Sequence, residues 1–186
     1  QTVASKTAIE AIYGTGAQVA GLKIGKSYTI EELLYLTMVH SACDACEVLA
    51  EFVSGSIPAF VDEMNSWVQS IGCKDTHFVN PDGLHDPEHY TTASDMAKIT
   101  LEAMKNDVFN KISSTQQYKF GNLNLIHTNY MLDKFHITYY YQYAQGIKTG
   151  STEQAEYNVI VKASKDGYNY LAIVMKSPQQ KIKNQS

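Results

Sequence analysis

The sequence predicts an α+β fold in one domain spanning residues 1–186, with a helical part over about residues 28–113 and a sheet part over about 115–176. Three observations lead there. Capped apolar runs of helical spacing fill the first two-thirds of the chain. The period then changes to two, and a Lys165-Asp166-Gly167 turn separates two strand-like runs. Hydrophobic residues make up 44% of 186 residues and charged residues 18%, which supplies a core and excludes a disordered chain.

Each element has its own signal. Thr29-Ile30-Glu31-Glu32 is a capping box ahead of an apolar run, so a helix is expected from about Ile30 toward Val39. A second helix fits Asp44 to Phe52, with Cys46, Leu49, Ala50 and Val53 on one face and Gly55 as its stop. Ser56 caps a third through Phe60, Met64, Trp67 and Val68 to Gly72, and Thr92 begins a fourth with Met96, Ile99, Thr100 and Ala103 inward. Pro81, Gly83 and Pro87 mark a loop over 79–91. Gln117 to Asn129 reads as a hairpin about Gly121-Asn122, and Tyr157–Ala163 with Tyr168–Lys176 as another. The run Tyr139-Tyr140-Tyr141-Gln142-Tyr143 reads as strand packing rather than as the wall of a substrate cleft.

Net charge is −4 and no Lys/Arg cluster stands out, so neither nucleic acid nor an anionic membrane is an expected partner. The terminal KIKNQS is mildly basic and is expected to be a solvated tail. No segment reaches the roughly 18 apolar residues of a membrane span. No signal peptide is recognised, and the chain opens on Gln1 rather than Met, which points to a processed or excised product. Cys43, Cys46 and Cys73 are an odd set and no disulfide scaffold. A bridge between Cys43 and Cys46 on one helical turn would be strained.

The chemistry gathers at two short motifs. Gly146-Ile147-Lys148-Thr149-Gly150 precedes the last hairpin. As an edge strand it offers free backbone groups to an extended substrate. The lysine brings positive charge, the threonine a hydroxyl for a carboxylate, and the glycine room for close approach. His40-Ser41-Ala42-Cys43 supplies a serine between two helices. Lys-Thr-Gly together with such a serine occurs in penicillin-recognising enzymes.

With these motifs in place, the chain resembles the serine-type D-alanyl-D-alanine carboxypeptidases, a penicillin-binding family with a β-lactamase/transpeptidase-like fold. The resemblance runs from about Ala20 to Met175. It is carried by Gly21–Gly25 with Tyr28-Thr29-Ile30, by Asp44-Ala45 and Leu49-Ala50-Glu51, and by Met64-Asn65 and Thr76-His77-Phe78. Asn80–Leu84, Tyr90–Ala93, Asp95-Met96-Ala97, Asn129, Gly146–Gly150 and Thr152 complete the ordered set. The resemblance implies a site in which Ser41 relays protons and Lys148 adds charge beside it. Thr149 then binds the substrate carboxylate, with Cys43, Gly150 and Ser151 as further substrate contacts. It implies a peptidoglycan stem peptide ending in D-Ala-D-Ala as substrate, β-lactams as ligands, no cofactor or metal, and a place outside the cytoplasmic membrane.

Two departures qualify it. No Ser-x-x-Lys occurs anywhere, and Ser5 and Lys6 are adjacent rather than one helical turn apart. Residue 1 is therefore expected to lie beyond that motif, and no closing helix is visible after Met175, so the fold is expected to be incomplete at both ends. The chain alone is expected to be inactive and to expose an apolar groove that a complementing chain or a second copy fills. The second departure is Cys43, a weak donor and acceptor where the family places an asparagine. Glu156 likewise stands where the family usually has glycine. Two alternatives remain: a non-catalytic relative that binds peptidoglycan or β-lactams, and a metal or redox domain built on Cys43, Cys46, Cys73 and His77. His85 and His89 read as a solvated loop.

Overall fold

The helical part is built on caps that the sequence spells out. In the computed structural model, which describes residues 1–178, Thr29 and Glu32 exchange hydrogen bonds ahead of helix α2, Ile30–Val39 (Glu32 N to Thr29 Oγ1 3.1 Å, Thr29 N to Glu32 Oε2 2.8 Å). The apolar stripe of α2 places Leu33, Leu36 and Val39 out of water. Full burial of each such side chain stabilises by about 1.5–3 kcal/mol. Helix α3, Cys43–Ser54, begins one residue earlier and ends two later than its apolar pattern indicates, and left-handed Gly55 stops it. Ser56 caps α4, Ile57–Ser70, and Thr92 caps α5, Ala93–Ala103.

Two short helices escaped the periodicity. These are α1, Lys6–Glu10, capped by Ser5, and α6, Asp107–Ser113, capped by Asn106. At 5 and 7 residues they show too few turns to establish a repeat. One core joins Ala4, Ala8 and Ile9 around α1 to Leu22, Tyr28, Leu33, Leu36, Ala45 and Val48, with Leu125 from the sheet part. A second joins Tyr35 and Val39 of α2 to Ile112 of α6.

Three antiparallel units complete the fold. A two-residue pair, β1 Thr2–Val3 with β2 Ser27–Tyr28, closes the N-terminal segment. The hairpin β3, Gln117–Phe120, and β4, Leu123–Ile126, turns at Gly121 as expected. Tyr118 of β3 stacks on Tyr35 of α2 at 4.3 Å and 2°, pinning the hairpin to the helices. The last sheet has the order β5-β6-β7, with β5 Ala144–Thr152, β6 Glu156–Lys165 and β7 Tyr168–Ser177. Thus Lys148-Thr149-Gly150 lies inside a nine-residue strand at a sheet edge.

The tyrosine run corrects its reading as strand packing. Residues 133–143 form successive turns: His136 N donates to Asp133 O, Tyr139 and Tyr140 N to His136 O, and Tyr141 N to Met131 O. Tyr143 touches the sheet, its carbonyl accepting from Ser164 N of β6 (3.1 Å), whereas Tyr139, Tyr140 and Tyr141 stay 41–51% exposed. Among the described residues no helix is long and apolar enough to cross a membrane. The basic tail KIKNQS lies outside the described residues.

Candidate active site

The turn between α2 and α3 carries Ser41, and its backbone is unusual. Ser41 has φ 59°, in the left-handed region that non-glycine residues adopt at a cost of roughly 1–2 kcal/mol. Three backbone bonds hold it there: His40 N and Ala42 N both donate to Leu36 O (3.2 and 3.1 Å), and Cys43 N donates to Gln18 O (2.8 Å). Asp44 fastens the same turn. It is 2% exposed and accepts from Ala20 N, Gly21 N and Leu22 N at 2.9 Å and from Ala45 N at 3.0 Å.

Strand β5 brings Lys148 to this turn from 107 residues away. Its Nζ donates to Ser41 Oγ at 2.8 Å and to Thr149 O at 2.7 Å. No carboxylate pairs with it among the described residues. Burial lowers its pKa to about 8, because the ammonium loses water without gaining a counter-ion. Thr149 Oγ1 donates to Thr128 Oγ1 at 2.6 Å. Carbonyl Gly150 O faces the side chain of Asn158 on β6 (3.4 Å). By strand alternation the backbone groups of Thr149 and Ser151 face the free edge. Gly150 and Ser151 themselves are exposed.

The support under β5 comes from the segment between β4 and β5. Asn129 and His127 are each 2% exposed. Asn129 Nδ2 donates to Gly146 O (3.3 Å), and Asn129 N donates to His127 Nδ1 (2.9 Å), which puts any ring proton of a neutral His127 on Nε2. Burial, reinforced by the Lys148 charge, lowers the His127 pKa to about 4, so the ring is neutral at physiological pH. Gly146 has φ 109°, and a Cβ there would lie 2.5 Å from Ser113 O of α6. Gly146→Ala is therefore expected to destabilise the chain by roughly 2–4 kcal/mol. Urea denaturation measures this, and a change under 1 kcal/mol would contradict it.

Cys43 is buried at the first position of α3, and burial together with Asp82, Asp44 and Glu47 pushes its thiol up to about 12. Cys46 is partly buried, its thiol likewise pushed up to about 12 by burial, and it bonds to Ala42 O at 3.4 Å. Cys73 is buried near Asp95. Among the described residues no group of three or more His, Cys, Asp or Glu side chains could hold a metal ion. Glu156 has φ 54°, which explains why a glycine suits that position: it follows the tight turn that pairs Thr152 with Glu156.

The structure therefore unites Ser41, Lys148 and Thr149, with Cys43 beside them, and lays Gly150 and Ser151 along the same strand. Sequence reading missed Thr128, His127, Gln18 and the anchoring role of Asp44. Only adjacency to Asn129 marked Thr128, Asp44 was marked as part of the family resemblance but without this role, and nothing marked Gln18.

Comparison with known proteins identifies relatives of the whole chain. The family model described as D-alanyl-D-alanine carboxypeptidase matches residues 2–179. The carboxypeptidase DacF of Bacillus subtilis is 33% identical over 174 residues, covering 91% of this chain and 43% of that protein. DacA of Escherichia coli is 33% identical over 162 residues, covering 86% of this chain and 39% of that protein. The crystal structure of the Streptomyces K15 DD-transpeptidase superposes with a TM-score of 0.87 at 27% identity, over 96% of this chain and 72% of that one. The chain spans about two-fifths of the length of these curated carboxypeptidases. Matched over nearly its whole length by that family model, the chain belongs to the D-alanyl-D-alanine carboxypeptidase family.

Proposed function

We propose that this chain forms the proton-relay and substrate-strand part of a serine-type D-alanyl-D-alanine carboxypeptidase. It acts, in one domain, on peptidoglycan stem peptides ending in D-Ala-D-Ala and is open to β-lactams. The observation that carries this reading is the 2.8 Å hydrogen bond from Lys148 to Ser41, made at an exposed sheet edge. A stem peptide would lie along β5 as an added strand, bonded to the outward backbone groups of Thr149 and Ser151. The Thr149 hydroxyl and the Lys148 charge would hold its terminal carboxylate. Ser41, bonded to Lys148, would pass a proton to the departing D-alanine nitrogen and recover it from the lysine.

The Ser-x-x-Lys pair would come from polypeptide other than these 186 residues, within a longer protein or a complementing chain. Such a substrate places the protein outside the cytoplasmic membrane. Cys43, unable to hold a substrate amide as an asparagine does, would contribute shape rather than hydrogen bonding.

The test is D-alanine release from a peptide ending in D-Ala-D-Ala, together with labelling by a fluorescent penicillin. The chain alone is expected to do neither. Supplied with the Ser-x-x-Lys polypeptide it should release D-alanine, and Lys148→Ala should lower the rate by about 10²–10⁴-fold. A stoichiometric penicillin label on the chain alone would overturn the placement of the nucleophile elsewhere. An unchanged rate in Lys148→Ala would overturn the relay.

A further inference from the structure

We propose that Ser41 and Lys148 are in themselves a nucleophile–base pair, able to take an acyl group from an activated ester without any other catalytic residue. This goes beyond the D-Ala-D-Ala reading and does not depend on it. The contact at 2.8 Å is the arrangement that activates a serine through a neighbouring amine. Ser41 Oγ makes no other hydrogen bond among the described residues, so Lys148 is the one protein base in contact with it there. Its backbone is held at φ 59° on a sharp turn directly before the twelve-residue helix α3. Both side chains are partly exposed, leaving a small acyl donor room to approach.

The electrostatics select this pair over its neighbours. The titratable groups that face Lys148 are the Cys43 and Cys46 thiols on α3 and His127 from the β4–β5 connection. The thiols ionise only near pH 12 and His127 gains a proton only near pH 4, so all three are neutral between pH 6 and 9. Lys148 alone changes charge in that range, becoming an amine above about pH 8. The Thr149–Thr128 hydroxyl pair has no base within its contact.

In the reaction, the Ser41 Oγ–H proton moves to the Lys148 amine as Oγ bonds to the ester carbonyl carbon. The carbon–aryloxide bond then breaks, and the aryloxide leaves with its electron pair. Ser41 is left as an ester and Lys148 as an ammonium, which returns the proton to solvent. An aryloxide needs no proton to depart, whereas the amine of a peptide does. An activated aryl ester therefore asks least of the pair.

The probe is p-nitrophenyl acetate. The chain should release about one equivalent of nitrophenolate in a burst whose rate rises through pH 8, with one acetyl group on the peptide containing Ser41 by mass spectrometry. Ser41→Gly removes the hydroxyl and suits the left-handed backbone, so it should fold and lose the burst by roughly 100-fold. Lys148→Met should lose the burst as well, and Lys148→Arg should not restore it, because a guanidinium stays protonated. An acetyl group found on lysines alone, or a burst that survives in Ser41→Gly, would overturn the proposal.

Discussion

Replacing Asp44 with alanine is expected to destabilise the chain by about 3–5 kcal/mol and to separate Ser41 from Lys148. Asp44 is 2% exposed, and its two oxygens accept from four backbone N–H groups, of Ala20, Gly21, Leu22 and Ala45. An alanine leaves the donors of the 20–22 segment without a partner, each orphaned group costing about 1–3 kcal/mol before relaxation. That segment continues into Gln18, whose carbonyl accepts from Cys43 N and so helps to impose the left-handed backbone of Ser41. Asp44→Asn keeps one acceptor oxygen and turns an NH₂ toward other donors, so about half of the loss is expected there. Urea denaturation gives the first quantity and nitrophenolate release the second. A loss below 1 kcal/mol would show that the carboxylate is not what holds the turn.

The second large effect is a dependence of stability on pH. Glu47 is 3% exposed, and its Oε2 has no hydrogen-bond partner. Burial first, then the charge of Asp82, raise its pKa from 4.5 to about 8. Asp82 is raised as well, chiefly by its own burial. A folded pKa above the unfolded one means that the folded state binds more protons between the two values. The contribution of Glu47 is therefore fully present below pH 4.5 and is lost as the pH rises to 8. His127, with its pKa lowered to about 4, acts in the opposite sense below pH 6.5. The informative quantity is thus the difference between wild type and Glu47→Gln. The variant should gain on the wild type steadily from pH 5 to 8 and be more stable by about 1–3 kcal/mol at pH 8. A difference that does not change with pH would show that Glu47 is ionised in the fold.

Much of the fold was legible because its signals are local. The Thr29–Glu32 box, Ser56 and Thr92 each start the helix that they announce, and Gly55 ends one. Such signals act across three or four residues, the distance over which a side chain reaches its own backbone. The β6–β7 hairpin was legible for the same reason, since Lys165-Asp166-Gly167 sets the register of its flanks. The tyrosine run misled because β propensity describes a fit to a half-buried sheet, and Tyr139, Tyr140 and Tyr141 lie in exposed turns instead. In the site, Ser41 and Lys148 were visible through their motifs. Thr128 and His127 were not, because their importance lies in what folds against them.

By itself, the sequence determined the capped helices, the hairpins, and the family through its Lys148-Thr149-Gly150 and Ser41 motifs. Only the tertiary structure decided that Lys148 bonds Ser41 across 107 residues, that Ser41 is held in a left-handed turn, and that Glu47 is buried against Asp82. The division has one physical cause. Backbone preference and capping decay within a turn of chain, whereas desolvation and the field of a neighbouring charge depend on which distant segments the fold brings together.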